Sequence, residues 1–169
     1  MAARYAERLH IVPLLAPAAS TAGGGVKSYA VRLKNTQWLS FLLGWGDQTT
    51  DDAAVTTITV EASTAVGNTT AATDTAIPFV YRLSGVPGTD DNWGDPTTCP
   101  STGLEITGAQ DNMVLFIDVD PASIPALDSD AIAVRLCFDA GDQTSSYASY
   151  AVALIEDRYP QAEHISAST

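Results

Sequence analysis

The densest group of oxygen donors in the chain is Asp90-Asp91-Asn92-Trp93-Gly94-Asp95. Calcium and other hard cations take carboxylate and amide oxygens of this kind, so Asp90, Asp91 and Asp95 form a candidate calcium clamp. Their spacing departs from the EF-hand loop, which alternates its ligands and closes on a glutamate. A solvated turn in which Asp and Asn bond their own backbone accounts for the same residues. The group lies in the longest stretch without strand pattern, residues 84–102, and a loop of that length usually has a task such as contacting a partner. Trp93 supports a contact role, because tryptophan is enriched at binding hot spots. The competing reading of Trp93 is an apolar plug over the end of a sandwich.

Asp118 and Asp120 form a second candidate pair, on one face of a strand if the strand persists through both. That spacing reaches the lower end of the roughly 5–9.5 Å that separates glycosidase carboxyls. Pro121 follows directly, and an acidic residue before proline at a strand end is an ordinary turn signature. A hydrolytic triad lacks a well-placed base, since the two histidines are His10 and His164, near the chain ends. There is no Gly-x-Ser-x-Gly, Walker loop or dinucleotide fingerprint. Cys99 and Cys137 are too few for a zinc site and read as buried, reduced thiols, with a single bridge as the alternative in an oxidising setting. The chain is therefore expected not to be an enzyme, and no cofactor or resident metal is implied.

The elements that carry these residues read as strands. The run 55–61 is β-branched almost throughout, residues 29–33 alternate, and 37–45, 77–83, 113–119 and 131–138 are short apolar runs bounded by turn residues. Residues 147–154 show helical spacing, but 150–155 also form a continuous apolar run that suits a strand buried on both faces, and every neighbour reads as β. About seven or eight antiparallel strands imply an all-β sandwich of Greek-key or jelly-roll kind. Trp38 and Trp45 fall in a dense apolar run and are expected in the core.

Charge narrows the partners. Lys and Arg total 8 against 20 Asp and Glu, a formal net charge of -12, while only 17% of residues are charged. Phosphate neutralisation needs clustered cations, so nucleic acid is excluded as a partner, and an anionic membrane surface is disfavoured by the same sign. No run approaches the ~18 apolar residues of a membrane span, and the first fifteen residues lack a signal-peptide core. A soluble protein made in a cytoplasm is expected.

The ends differ from the middle. Residues 1–25 read as an arm followed by an Ala/Gly-rich linker, 26–160 as the sandwich and 161–169 as a short tail. An apolar arm on a flexible linker suits docking on a partner, with Ile11, Val12, Leu14 and Leu15 as anchors and Trp93 as a further contact. Packing as an edge strand on its own sandwich is the alternative.

The order of segments supports a family resemblance. His10-Ile11-Val12-Pro13-Leu14-Leu15-Ala16-Pro17 precedes the linker, Val31-Arg32-Leu33-Lys34-Asn35 leads into Trp38-Leu39-Ser40-Phe41, Thr57 to Ser63 follows, and Arg158-Tyr159-Pro160-Gln161-Ala162 ends the run. This layout resembles small virion structural proteins of tailed bacteriophages, the cement or decoration proteins beside the major capsid protein. The resemblance implies a β-sandwich on the capsid exterior, synthesised in the host cytoplasm, with the major capsid protein and two further copies of itself, as a homotrimer, for partners. A head-completion or tail component is the alternative within the same resemblance. The alternatives from other classes are a carbohydrate-binding or host-adhesion module using its tryptophans and, resting on Asp118 and Asp120 alone, a glycoside-cleaving enzyme.

Overall fold

The computed structural model describes residues 9–21, 26–46, 56–66, 74–89, 92–139 and 146–159. Chain order is β1 (His10–Thr21), β2 (Val26–Lys27), β3 (Val31–Arg32), β4 (Thr36–Trp45), β5 (Thr56–Ser63), β6 (Asp74–Ile77), β7 (Phe79–Leu83), β8 (Thr97–Cys99), β9 (Leu104–Ile106), β10 (Val114–Val119), a short helix α1 (Ile124–Leu127), β11 (Ala133–Asp139) and β12 (Ser146–Asp157). The strands form two antiparallel sheets, one in the order β1-β12-β4-β10-β7-β8. The other runs β2-β11-β5-β6, with β3 also on β11 and β9 also on β5.

The pairings are nested like one long hairpin. His10 faces Ile155, Lys27 faces Cys137, Arg32 faces Ala133, Phe41 faces Ile117 and Glu61 faces Ala76. Rolling this hairpin brings β12 onto β4 and β11 onto β5, which is the jelly-roll arrangement of a sandwich. Alternate residues fill the space between the sheets. Leu39, Phe41, Leu43, Leu115, Ile117, Ala153 and Ile155 come from the first sheet, and Ile58, Val60, Ile77, Val134, Leu136 and Phe138 from the second.

Three expectations are corrected. First, residues 10–21 are not an arm reaching away from the domain; they are the edge strand β1, hydrogen-bonded to β12. The alternation decides this, because Val12 (7% exposed) and Leu14 (1% exposed) point into the core. Pro13 and Pro17 are tolerated since an edge strand has one side without a ladder, and the register shifts after Pro13 and Leu15 are the bulges that often accompany such edges. The sandwich therefore begins before residue 26. Second, the run 77–83 is divided: Ile77 ends β6 in one sheet and Phe79 starts β7 in the other. Pro78, with no N–H for a ladder, marks the crossing. Third, the strands outnumber the seven or eight expected, because β2, β3, β8 and β9 are two or three residues long and carry no readable period. The tail 161–169 lies outside the described residues.

Candidate interaction face

The outward side of the first sheet is apolar across adjacent strands. Cross-strand register places Ile11 beside Leu154, Leu154 beside Ser40, Ser40 beside Asp118 and Asp118 beside Val80. The next outward row is Pro13, Val152, Leu42, Phe116 and Arg82, and the third is Tyr150, Gly44 and Val114. On this side Ile11 (47%), Trp38 (42%) and Tyr150 are exposed, while Leu42, Phe116, Val152 and Leu154 are half-buried. The second sheet presents the opposite chemistry on β5, where Thr57, Thr59 and Glu61 alternate with the buried Ile58, Val60 and Ala62. The continuous apolar runs of β4 and β12 thus do not reflect burial on both faces. They make one buried face and one apolar open face.

Specific contacts fix the aromatic side chains. Ser40 Oγ donates to Asp118 Oδ1 at 2.6 Å and Trp38 Nε1 donates to the same oxygen at 3.2 Å, which holds the indole against the sheet. The Tyr150 ring covers Gly44, its cross-strand neighbour, where a methyl group would overlap the ring. Trp93 pairs with Ser84 in an isolated bridge. Gly94 N–H donates to Leu83 O and Gly85 N–H to Asn92 O, at 2.8 and 2.9 Å, which pins the loop to the end of β7. Its ring meets Phe116 edge-to-face at 6.1 Å between centroids, so Trp93 extends the apolar face. A depression of about 380 Å³ beside it is lined by Leu83, Asn92, Trp93, Gln110 and Met113.

Of the residues expected to bind a partner, Ile11 and Trp93 are exposed (Trp93 46%) and Leu15 is half-buried. Val12 and Leu14 are corrected: as core residues they have no surface to offer. Trp38, expected in the core, stands outside, whereas Trp45 is buried with Nε1 donating to Gln110 O at 2.8 Å. Asp90 and Asp91 lie outside the described residues. Asp95 is exposed and its backbone carbonyl accepts from Thr97 Oγ1. No group of three His, Cys, Asp or Glu poised for a metal occurs among the described residues.

The two aspartates of the 118–120 segment have separate tasks. Asp118 anchors Ser40 and Trp38, and Asp120 Oδ1 accepts from Ala122 N–H in the turn after β10. Cys99 and Cys137 are both free and buried. Burial raises both thiol pKa values, reinforced at Cys137 by the Glu61 carboxylate. Among the described residues no helix is long and apolar enough to cross a membrane.

A charged group that local sequence reading missed lies across the second sheet. Arg135, 1% exposed, pairs with Asp74 and lies 3.4 Å from Glu61. Lys27 Nζ bridges the same two carboxylates at 2.9 and 2.8 Å. The four side chains come from β2, β5, β6 and β11 and tie those strands in register.

Compared with known protein families, curated proteins and solved structures, the chain matches none.

Proposed function

We propose that the chain is a non-enzymatic structural protein of a tailed-phage virion, a cement or decoration protein that binds the exterior of the assembled head shell. The observation that carries this reading is the apolar outward face of the β1-β12-β4-β10-β7-β8 sheet. Contiguous exposed apolar surface on a folded domain marks an interaction site, and exposed aromatics such as Trp38, Trp93 and Tyr150 are the residue types that dominate binding energy. Few charges would be desolvated on this face, chiefly Arg82, Asp118 and Glu156, which keeps the cost of docking low. A jelly roll hosts many functions, so the fold adds nothing by itself. The family layout supplies the shell as partner, and three copies arranged as a homotrimer would gain avidity of about 10²–10⁴ from modest single contacts.

Sedimentation of the purified protein with shells that lack it tests this. Wild-type protein is expected to pellet with shells and raise their melting temperature, and the triple variant Trp38→Ser, Phe116→Ser, Leu154→Ser to remain in the supernatant. Wild-type protein that pellets with no shell or tail part removes the reading. The depression beside Trp93 favours one second reading, a carbohydrate-binding module, and a positive glycan array lost on Trp93→Ala would select it.

A further inference from the structure

The register of the first sheet makes its outward face self-complementary. Four rows cross the face. The lowest holds Glu156 and Trp38 on β12 and β4, continued just past the end of β10 by Asp120. The two middle rows are Ile11, Leu154, Ser40, Asp118 and Val80, then Pro13, Val152, Leu42, Phe116 and Arg82. The highest is Tyr150, Gly44 and Val114, with Ser84 and Trp93 joined to it beyond β7. Among the described residues the charged side chains of these rows are Arg82, Asp118, Asp120 and Glu156. Arg82 and Asp118 stand in the two middle rows on neighbouring strands, one to either side of the midline between those rows.

A twofold axis along that midline, in the plane of the face and across the strands, turns each row of one copy onto a row of a second. Ile11 and Leu154 then meet Pro13 and Val152 of the second copy. Trp38 meets Gly44 and the Tyr150 ring that covers it. Asp118 lies over Phe116, with Arg82 of the second copy on the adjoining strand, about 4.8 Å to the side, so each pair of copies gains two Arg82–Asp118 contacts. Glu156 faces Tyr150 and Asp120 faces Val114, so no carboxylate of these rows is set opposite another. The strands of the two copies run antiparallel and the sheets stack aligned, as the inner faces of a sandwich do. With about 4.8 Å between strands and about 6.8 Å between rows, the face measures about 24 Å by 20 Å. Two such faces bury about 1,000 Å² in all, the area that a specific though weak interface has to reach.

We propose that in solution a second copy of the chain covers this face, in a twofold antiparallel pairing of the two β1-β12-β4-β10-β7-β8 sheets. The aromatic and aliphatic rows supply the affinity, and the two Arg82–Asp118 contacts fix the register. Repulsion between two chains of net charge -12 opposes the pairing. At physiological salt, charges more than about 8 Å apart are largely screened, so the contacts of the face outweigh the distant acids. The pairing needs no shell and does not rest on the function proposed for this face; where that function holds, the two copies part before the face docks.

The test is analytical ultracentrifugation of the full chain at physiological salt. A monomer–dimer equilibrium is expected, with a dissociation constant on the order of 10 µM for an interface of this size. Arg82→Glu changes an exposed residue, so it is expected to keep the wild-type melting temperature and to weaken pairing at least tenfold, since it sets like charges together at both contacts. Asp118→Lys does the same with cations. Mixed one to one, the two variants regain opposite charges at both contacts and are expected to pair at least fivefold more tightly than either alone. Should Asp118→Lys not fold, a filtered NOE spectrum of mixed labelled and unlabelled wild-type chain replaces the mixture and is expected to join Leu154 methyls to Val152 methyls of the other copy. A monomer at about 0.5 mM, a trimer, undiminished pairing of Arg82→Glu, a mixture no tighter than its components, or the absence of that NOE overturns the proposal. A monomeric chain that pellets with shells overturns the pairing and leaves the shell reading intact; a dimer that pellets with no shell does the reverse.

Discussion

Replacing Arg135 by methionine should be among the most damaging single substitutions in the chain. Arg135 is 1% exposed and sits under two carboxylates, Asp74 and Glu61, whose side chains are 9% and 14% exposed. Removing one partner of a buried ion pair costs about 3–5 kcal/mol, because the remaining charge is left uncompensated in a poorly solvated place. Two features move the expectation to the lower end. Lys27, on the solvent side, still bridges both carboxylates, and Nε and Nη1 of Arg135 have no hydrogen-bond partner among the described residues, so the native arrangement already bears part of the cost of an unsatisfied group. The expected loss is about 3 kcal/mol. With a urea slope of about 2 kcal/mol/M, the unfolding midpoint falls by about 1.5 M. The variant Arg135→Met, Asp74→Asn, Glu61→Gln removes the stranded charges and is expected to recover at least half of that loss. A midpoint shift below about 0.5 M for Arg135→Met, or a triple variant less stable than the single one, would refute the reasoning.

Leu14→Ala is expected to cost about 2–5 kcal/mol by thermal or urea unfolding, the range for a buried leucine; a free arm would show no loss. Gly103→Ala should cost more than about 1 kcal/mol in the same assay, since Gly103 adopts φ 96° and an added methyl would meet Ile58 O at 2.9 Å and the methyls of Thr57 and Thr59. The thiols should react with a thiol reagent only after denaturant is added. Both folded pKa values are raised above the unfolded value of about 8.5, so the protonated thiols' contribution to stability is full below that pH and declines above it. The Cys99→Ala, Cys137→Ala variant is expected to lose this alkaline dependence.

Much of the fold was legible because a half-buried strand leaves a period of two. Residues 57–62 alternate polar and apolar residues along β5 and place their own faces. The Asp120-Pro121 turn was legible for a local reason, the carboxylate accepting from a backbone N–H two residues on. The runs 37–45 and 150–155 misled about burial because apolar residues on an open sheet face look the same as those on a covered one, and Trp38 and Trp45 differ only in the side they take. The N-terminal segment stayed open between arm and edge strand, since strand pairing across more than a hundred residues leaves no local mark. The charged group of Lys27, Glu61, Asp74 and Arg135 was invisible for the same reason, its partners being 34 or more residues apart.

We propose that the outward face of the β1-β12-β4-β10-β7-β8 sheet is the surface by which this protein joins an assembled shell. A cryo-electron microscopy reconstruction of shells decorated with the purified protein tests it most directly. Density is expected for three copies around threefold or quasi-threefold positions on the shell exterior, with Ile11, Trp38, Phe116 and Leu154 against the capsid surface or a neighbouring copy. Density with that face turned to solvent, single copies or dimers at twofold positions, or density inside the shell would contradict it.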